Sequence, residues 1–256
     1  VNHVSKFRWM YNNTVNLPLV IRAPMGGRRG YGPTHSQTLE KLFMGVPGLT
    51  LAAPVNMVDD TFRQEPGDLL ESIILQSNDP VLFIENKLQY LLPVYQSADL
   101  AELEISASRG NSGSDPIFPV NTLKIAGAPS AQVTLTAYGY MAELARQAML
   151  HLAFEEEIFC ELIIPTRLVP FDAAEVVASV ARTSRLITIE EGGLTLGWGA
   201  EVTARVAESL PGEKLVVSRV AARDLPVPAA PSLEKRVLPQ MEDIVRAVRK
   251  VAKHGK

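Results

Sequence analysis

Apolar and polar residues alternate along this chain with two different periods, and the switches between them mark its elements. The run LPLVIRAP at 17–24 is short, apolar and closed by proline, which predicts a buried strand. A glycine loop follows, and then HSQTLEKLFMG sets Leu39, Leu42 and Phe43 on one helical face. PGLTLAAP at 47–54 predicts a second strand, opened by Pro47-Gly48 and stopped by Pro54. Asn56 is a candidate cap for a short helix. PGDLLESIILQSN predicts a stronger one, with Leu69, Leu70, Ile73 and Ile74 inward. PVLFIEN at 80–86 predicts the third strand. The opening VNHVSKFRWMYNN spaces Val4, Phe7 and Met10 or Tyr11 like the middle of an amphipathic helix, which suggests a chain cut from something longer.

Residues 96–122, rich in Ser, Gly, Asp and Pro with short apolar islands, break the pattern and are expected to form a linker or crossover. Beyond them the pattern becomes regular. AQVTLTAY at 131–138 alternates as a strand, and the helix after it puts Met141, Leu144, Ala145, Ala148, Met149 and Leu152 on one stripe. IFCELIIP is the next strand. FDAAEVVASVARTS opens with Asp172 three residues before Glu175, a variant capping box. RLITIEE and KLVVSRV predict strands, with GAEVTARVAESL and QMEDIVRAVRKVAK as helices. Strands alternating one for one with helices predict a mainly parallel sheet covered on both faces.

Composition narrows the setting. The 256 residues, 46% hydrophobic and 21% charged, suffice for one large domain or two small ones. A net charge of -3 gives no reason to expect nucleic acid or an acidic membrane as partner. Cys160 is the single cysteine, so an intrachain disulfide is excluded and a buried reduced thiol in a reducing compartment is expected. No apolar run approaches the about 18 residues of a membrane-spanning helix, and the start has no signal layout.

The candidate chemistry concentrates in GGRRGYGPTHSQ at 26–37. It is no P-loop, because Gly-Lys-Ser/Thr does not follow, and its glycines miss the dinucleotide spacing. No G-x-S-x-G elbow exists. His3, His35, His151 and His254 have no zinc-ligand spacing with cysteine or carboxylates. The loop follows a predicted strand and so belongs at the carboxyl end of a parallel sheet, where such folds place ligands. Pro33 stiffens the approach to Thr34, His35 and Ser36, just before a predicted helix N-terminus that favours anions. His35 there is equally a proton-transfer group or an exposed bystander. Arg28 and Arg29 read mainly as a solvated loop tip, Arg22 as a structural or ligand-binding residue in equal measure. Glu190 and Glu191 read mainly as interface or capping residues. The tail RAVRKVAKHGK reads as a solvated helix end.

These residues also carry a family likeness. LVIRAPMGGRRGYGPTHSQTLEKLFMGVPGLTLAAPVN resembles the pyrimidine-domain segment of the beta subunits of thiamine diphosphate-dependent 2-oxo acid dehydrogenases of the pyruvate, acetoin and branched-chain type. NDPVLFIENKLQY is similar to the family's next strand. RLITIEEGGLTLGWGAEVTARVAE and VSRVAARDLPVPAAPSLEKRVLPQMEDIV resemble the transketolase-type C-terminal domain. The resemblance implies an α/β fold. Residues 1–95 would be the C-terminal part of a pyrimidine-binding domain, 96–122 a linker, and 123–256 a doubly wound, mainly parallel transketolase C-terminal domain.

The resemblance further implies oxidative decarboxylation with acyl transfer to a lipoyl acyltransferase partner, in a heterotetramer with alpha subunits. Thiamine diphosphate and magnesium would be held mainly outside this chain, with His35 pointing at the reacting centre. The family's cofactor-activating glutamate and ring-stacking aromatic lie upstream of the matching segment. Glu40, Glu65, Glu71 and Glu85 do not match that glutamate, so the chain by itself is expected to be silent. A structural potassium ion would fall on backbone carbonyls near Leu19, Ile74, Leu75, Ser77 and Asp79. The expected setting is cytoplasmic, or the mitochondrial matrix in a eukaryote. Two other readings stay open at this point: a non-catalytic dimerisation and docking module, and a stand-alone transketolase or deoxyxylulose-phosphate synthase relative.

Overall fold

Two sheets organise the chain, and the hydrophobic patterns explain where each strand sits. The computed structural model describes residues 1–60, 62–109 and 117–253. In the first sheet β1 (Val20–Met25), β3 (Val81–Asn86) and β2 (Thr50–Ala52) run parallel in that order, and β8 (Arg167–Val169) joins β2 antiparallel. β3 is buried at every position, as its continuous apolar run predicts for a central strand. β1 departs from its expectation. It lies at the sheet edge with Ile21 exposed, because a short apolar run does not tell an edge strand from a central one.

The second sheet has the order β10-β9-β6-β7-β5-β4. β6 (Val133–Ala137), β7 (Cys160–Pro165), β9 (Arg185–Gly193) and β10 (Val216–Ala222) are parallel. β5 (Val120–Ile125) and β4 (Leu103–Ser108) close it antiparallel. The stretch 96–122 therefore carries β4 and the start of β5 rather than a plain tether. In LEISAS, Leu103 is buried and Ile105 half-buried between exposed Glu104 and Ser106, an edge-strand alternation hidden by the polar composition around it. Residues 110–116 of that stretch lie outside the described residues.

Helices cover both faces of this sheet. α4 (Tyr140–Glu156) and α8 (Met241–Lys253) pack on one face, where the expected stripe from Met141 to Leu152 is buried. α5 (Ala174–Thr183) and α6 (Trp198–Ser209) take the other. β6 looks half-exposed by alternation, yet Thr134 and Thr136 are fully buried. Thr134 shares hydrogen bonds with Ser179 (2.8 Å) and Thr183 (2.7 Å) of α5, which satisfies the hydroxyls under the helix. Cys160 is buried in the core, and burial pushes its thiol up to about 12.

The two sheets share a core. Met25, Leu51, Leu82 and Ile84 of the first sheet join Tyr138, Phe171, Val176 and Trp198 of the second half in one cluster. α3 (Pro66–Gln76) covers the opposite face of the first sheet through Leu69 and Ile73. Ile74, expected inward, is exposed together with Leu75. The predicted opening helix is a 3-10 turn followed by α1 (Phe7–Met10), tied down by Arg8 on Asp79 at 3.1 Å. Asn56 caps no helix; it is buried and accepts from Gln89 Nε2 at 2.9 Å.

Candidate functional site

β1 ends at Met25 beside Asn86, the last residue of β3, so the glycine loop leaves the carboxyl end of the parallel strands. β9 brings Glu190 and Glu191 to the same place from the second sheet. The loop is therefore gripped from both sides. Gly26 N–H donates to Gln37 carbonyl (2.9 Å), closing the loop on itself with Gly26 at φ +97°.

Glu191 takes hold of the loop's start. Its Oε1 accepts from Gly27 N–H (2.7 Å) and Thr38 Oγ1 (3.2 Å), and its Oε2 from Asn86 Nδ2 (3.3 Å). Glu234, in α7 (Pro231–Val237), accepts from Arg28 N–H at 2.8 Å and Gly30 N–H at 3.3 Å. A Cβ on Gly27 would stand 2.5 Å from Leu238 and 3.2 Å from Glu234 Oε1, so glycine permits this approach.

Arg28 is not the solvated tip that its sequence context suggests. Its backbone is left-handed (φ +67°), and its guanidinium donates to the Pro239 carbonyl and to Gln240 Oε1 (3.2 Å). Its Nε lies 3.6 Å from Glu191 Oε2, and the group sits 5.4 Å from the centre of the Tyr140 ring. Arg29 is the exposed one, 5.8 Å from the Tyr31 ring centre. Arg22 is bound by both oxygens of Glu85, at 2.7 Å for Nη2. Sequence alone assigns neither Glu191 nor Glu234 to this loop, because no spacing signal links positions so far apart.

His35 is exposed. Its N–H donates to Gly32 carbonyl (3.3 Å), and its own carbonyl accepts from Lys87 Nζ. The helix expected to start beside it does not: α2 covers only Lys41–Met44. Residues 36–40 are drawn into the loop instead, with Ser36 and Glu40 buried. His35 thus has no helix N-terminus behind it, and Leu42, meant for the inner face, is exposed.

Behind the loop lies a buried acidic layer. Tyr138 Oη donates to Glu40 Oε1 at 2.6 Å. Burial raises the Glu40 carboxyl above the usual range, opposed by that hydrogen bond. Glu190 accepts from Trp198 N–H (2.7 Å) and Gly199 N–H (2.9 Å), capping α6 from a preceding strand. Burial lifts it to about 7, against those two amides and with the neighbouring Glu40 adding to the rise. The stretch GGLTLGWG is glycine-rich here for a steric reason. A Cβ at Gly192 would meet Glu40 Oε1 and one at Gly197 would meet Glu190 Oε2, each at 2.5 Å. The variant capping box expected at α5 does not form: Ala173 is the N-cap, Asp172 before it accepts from Ala174 N–H (3.0 Å), and Glu175 accepts from Ser108 Oγ of β4 (2.6 Å).

Three of the loop's amides, those of Gly27, Arg28 and Gly30, are donated to buried carboxylates, whose charge would repel a phosphate. The loop therefore does not fit the diphosphate of a cofactor. Among the described residues no group of three or more His, Cys, Asp or Glu side chains is placed to hold a metal ion. Leu19, Ile74, Leu75, Ser77 and Asp79 gather at the other end of the first sheet. There Leu17 N–H donates to Asn78 carbonyl (2.9 Å) and Val81 N–H to Leu19 carbonyl (2.8 Å). Ile74 and Leu75 lie in the last turn of α3, whose carbonyls lack partners within the helix. His254 lies outside the described residues.

Residues 124–244 match the family model of the transketolase C-terminal domain. The chain is 30% identical over 252 residues to the pyruvate dehydrogenase E1 component subunit beta of Rickettsia bellii, covering 98% of this chain and 70% of that protein. It belongs to the beta-subunit family of the thiamine diphosphate-dependent 2-oxo acid dehydrogenases. This beta-subunit chain is also 31% identical over 256 residues to the acetoin:2,6-dichlorophenolindophenol oxidoreductase subunit beta of Cupriavidus necator, covering 100% of the chain and 69% of that protein. To the mitochondrial pyruvate dehydrogenase E1 subunit beta-1 of Arabidopsis thaliana it is 35% identical over 257 residues, with 100% of the chain covered. The beta-subunit chain spans 65% of the length of that Arabidopsis protein and 62% of its Oryza sativa counterpart. A split-gene transketolase described as an inactive beta4 tetramer shares the fold at TM-score 0.66 and 20% identity, over 98% of this chain and 73% of that one. No helix among the described residues is long and apolar enough to cross a membrane.

Proposed function

We propose that this chain supplies one wall of the active site in the decarboxylating component of a 2-oxo acid dehydrogenase, with His35 facing the reacting carbon. The observation that carries the reading is an exposed imidazole on a loop that buried carboxylates pin between the carboxyl ends of two sheets. Bound thiamine diphosphate supplies the nucleophilic carbon and the electron sink for loss of carbon dioxide. The diphosphate and magnesium would be held by an alpha subunit, a reading supported by the buried Glu191 and Glu234 that occupy the amides of Gly27, Arg28 and Gly30. His35 orients the 2-oxo acid and holds or moves a proton at a ring nitrogen. Pyruvate or acetoin is the favoured substrate type. The partners are the alpha subunit, a second beta subunit and a lipoyl acyltransferase core, in the bacterial cytoplasm or the mitochondrial matrix. The division into residues 1–95 and 123–256, joined through 96–122, is part of this reading.

His35→Ala in the complete beta subunit, assembled with its alpha partner, is expected to lower kcat about 100-fold and leave assembly intact. Steady-state turnover and size-exclusion chromatography read the two effects, and unchanged turnover sinks the assignment. The isolated chain with added cofactor is expected to decarboxylate no 2-oxo acid.

Potassium binding is the second element of this reading. The carbonyls near Leu19, Ile74, Leu75, Ser77 and Asp79 would ligate the ion at the negative end of the α3 dipole. Thermal melts in potassium chloride against sodium chloride of equal strength test it. A Tm higher by about 2–4 °C in potassium is expected, and coincident melts exclude the site.

A further inference from the structure

The glycine loop carries an exposed His35 and is held by carboxylates from elements far along the chain. We propose that Glu191 and Glu234 are positioning residues that fix this loop so that the His35 imidazole is presented at a set place and angle. The inference rests on the reading of His35 as an active-site group.

The argument starts from the intrinsic conformation of the loop. Gly26, Gly30 and Gly32 all have positive φ, at +97°, +69° and +74°, and Arg28 shares that region at +67°. Glycine-rich segments lose the most freedom on ordering, and a left-handed arginine is intrinsically disfavoured. The loop therefore holds one shape only if outside contacts over-determine it. Its own closing contacts are few: Gly26 to Gln37, His35 and Ser36 to Gly32, and Gln37 Nε2 to the Pro33 carbonyl.

Outside contacts also come from Lys87 Nζ on the His35 carbonyl and from the Arg28 guanidinium on Pro239 and Gln240, but the loop's amides are held by two carboxylates on separate elements. Glu191, at the end of β9, accepts from Gly27 N–H and Thr38 Oγ1, one before and one after the histidine. It thereby ties together both ends of the segment that bears His35. Glu234, on α7, accepts from two amides either side of Arg29, those of Arg28 and Gly30, and fixes the left-handed turn. Amide-to-carboxylate hydrogen bonds are charge-assisted, and Glu191 and Glu234 are 4% exposed each, so solvent does not compete for them. Asn86 donates to Glu191 Oε2 and accepts from Leu88 N–H (3.0 Å), which aims the carboxylate from the first sheet. The hydrogen bonds of both glutamates go to loop amides, Thr38 and Asn86, not to the exposed imidazole. Their effect on it passes through the backbone of the loop.

Two measurements test this. The first is limited trypsin digestion of the chain, followed at the bonds after Arg28 and Arg29. Cleavage needs the loop to open, so Glu191→Gln and Glu234→Ala are expected to be cut about tenfold faster than wild type while keeping its circular dichroism. The second is steady-state kinetics of the assembled component, using whichever of pyruvate, a branched-chain 2-oxo acid or acetoin the wild type turns over fastest. Glu234→Ala is expected to lower kcat about tenfold with KM within about twofold, and Glu234→Gln, which keeps an acceptor oxygen, to recover most of it. In a His35→Ala background, Glu234→Ala is expected to lower kcat further by less than about twofold.

Wild-type cleavage rates in both variants overturn the proposal. So does a kcat loss that is fully additive with His35→Ala, since a general structural defect adds independently. If His35→Ala is crippled while the clamp variants turn over normally, the clamp falls and the active-site reading stands. If His35→Ala itself turns over normally, that reading falls and the positioning role falls with it. Should Glu191→Gln fail to fold, Glu234→Ala and Glu234→Gln decide the matter alone.

Discussion

Replacing Trp198 by alanine is expected to lower the unfolding free energy by about 3–5 kcal/mol, the range for deleting a large buried aromatic. Trp198 is fully buried as the first residue of α6. Its ring stacks edge-on against Tyr138 at 5.1 Å and Phe171 at 5.5 Å. All three belong to the cluster that Met25, Leu82 and Ile84 of the first sheet share with α5 and α6. A void there is lined from both sheets, so neither can close it alone by local relaxation. Urea denaturation gives the midpoint shift, and a loss below about 1 kcal/mol contradicts the account.

Trp198→Phe separates packing from polarity. The indole Nε1 is buried without a hydrogen-bond partner, so phenylalanine removes an unsatisfied donor along with part of the ring. Its expected loss is below about 1.5 kcal/mol, well short of the alanine variant.

Raising the pH from about 5 to about 8 is expected to destabilise the fold by up to about 3 kcal/mol, through Glu190. The folded chain holds this proton to about 7, whereas the unfolded carboxyl releases it near 4.5. Between those values the folded state binds more protons than the unfolded state, so stability is greatest below the unfolded value. It falls as pH climbs through the folded one and then levels off. Burial is the main cause. The amides of Trp198 and Gly199 favour the charge and hold the rise to this size. Glu40 shifts in the same direction, also by burial, and adds to the slope.

Glu190→Gln keeps one acceptor oxygen for the α6 cap and removes the titration. Its denaturation midpoint is expected to vary less with pH than wild type, the remaining slope belonging to Glu40. An identical slope in both proteins refutes the assignment to Glu190. At pH 8, where wild type must carry the buried charge, the variant's disadvantage is smallest.

The regular half of the molecule was legible in the chain. The helical stripe of α4 and the parallel strands β6, β7, β9 and β10 follow from period and punctuation, because each buries one well-defined apolar face. The edges were harder. β4 lies in a stretch whose composition reads as linker, and β1 reads as buried although it lies at an edge. Both errors have one cause: pairing partners are chosen across the sheet, and local composition does not record them. The short α2 is a third case. A helical pattern from His35 onwards gave way because Glu40 is pulled inward to Tyr138 and Gln37 pairs with Gly26.

The sequence by itself determined the α/β class, the place of the glycine loop after a strand, the buried thiol of Cys160 and the likeness to the 2-oxo acid dehydrogenase beta subunits. Local pattern is enough for these, since each depends on residues adjacent in the chain. The tertiary structure alone decided what holds the loop. It turned Arg28 from a presumed tip into an anchor and brought Glu191 and Glu234 to amides that stand far away in sequence. It also stacked Glu40 behind Glu190 in a buried layer. Such contacts are set by how two sheets pack against each other, and the energies of buried charge that follow exist only once that packing excludes water.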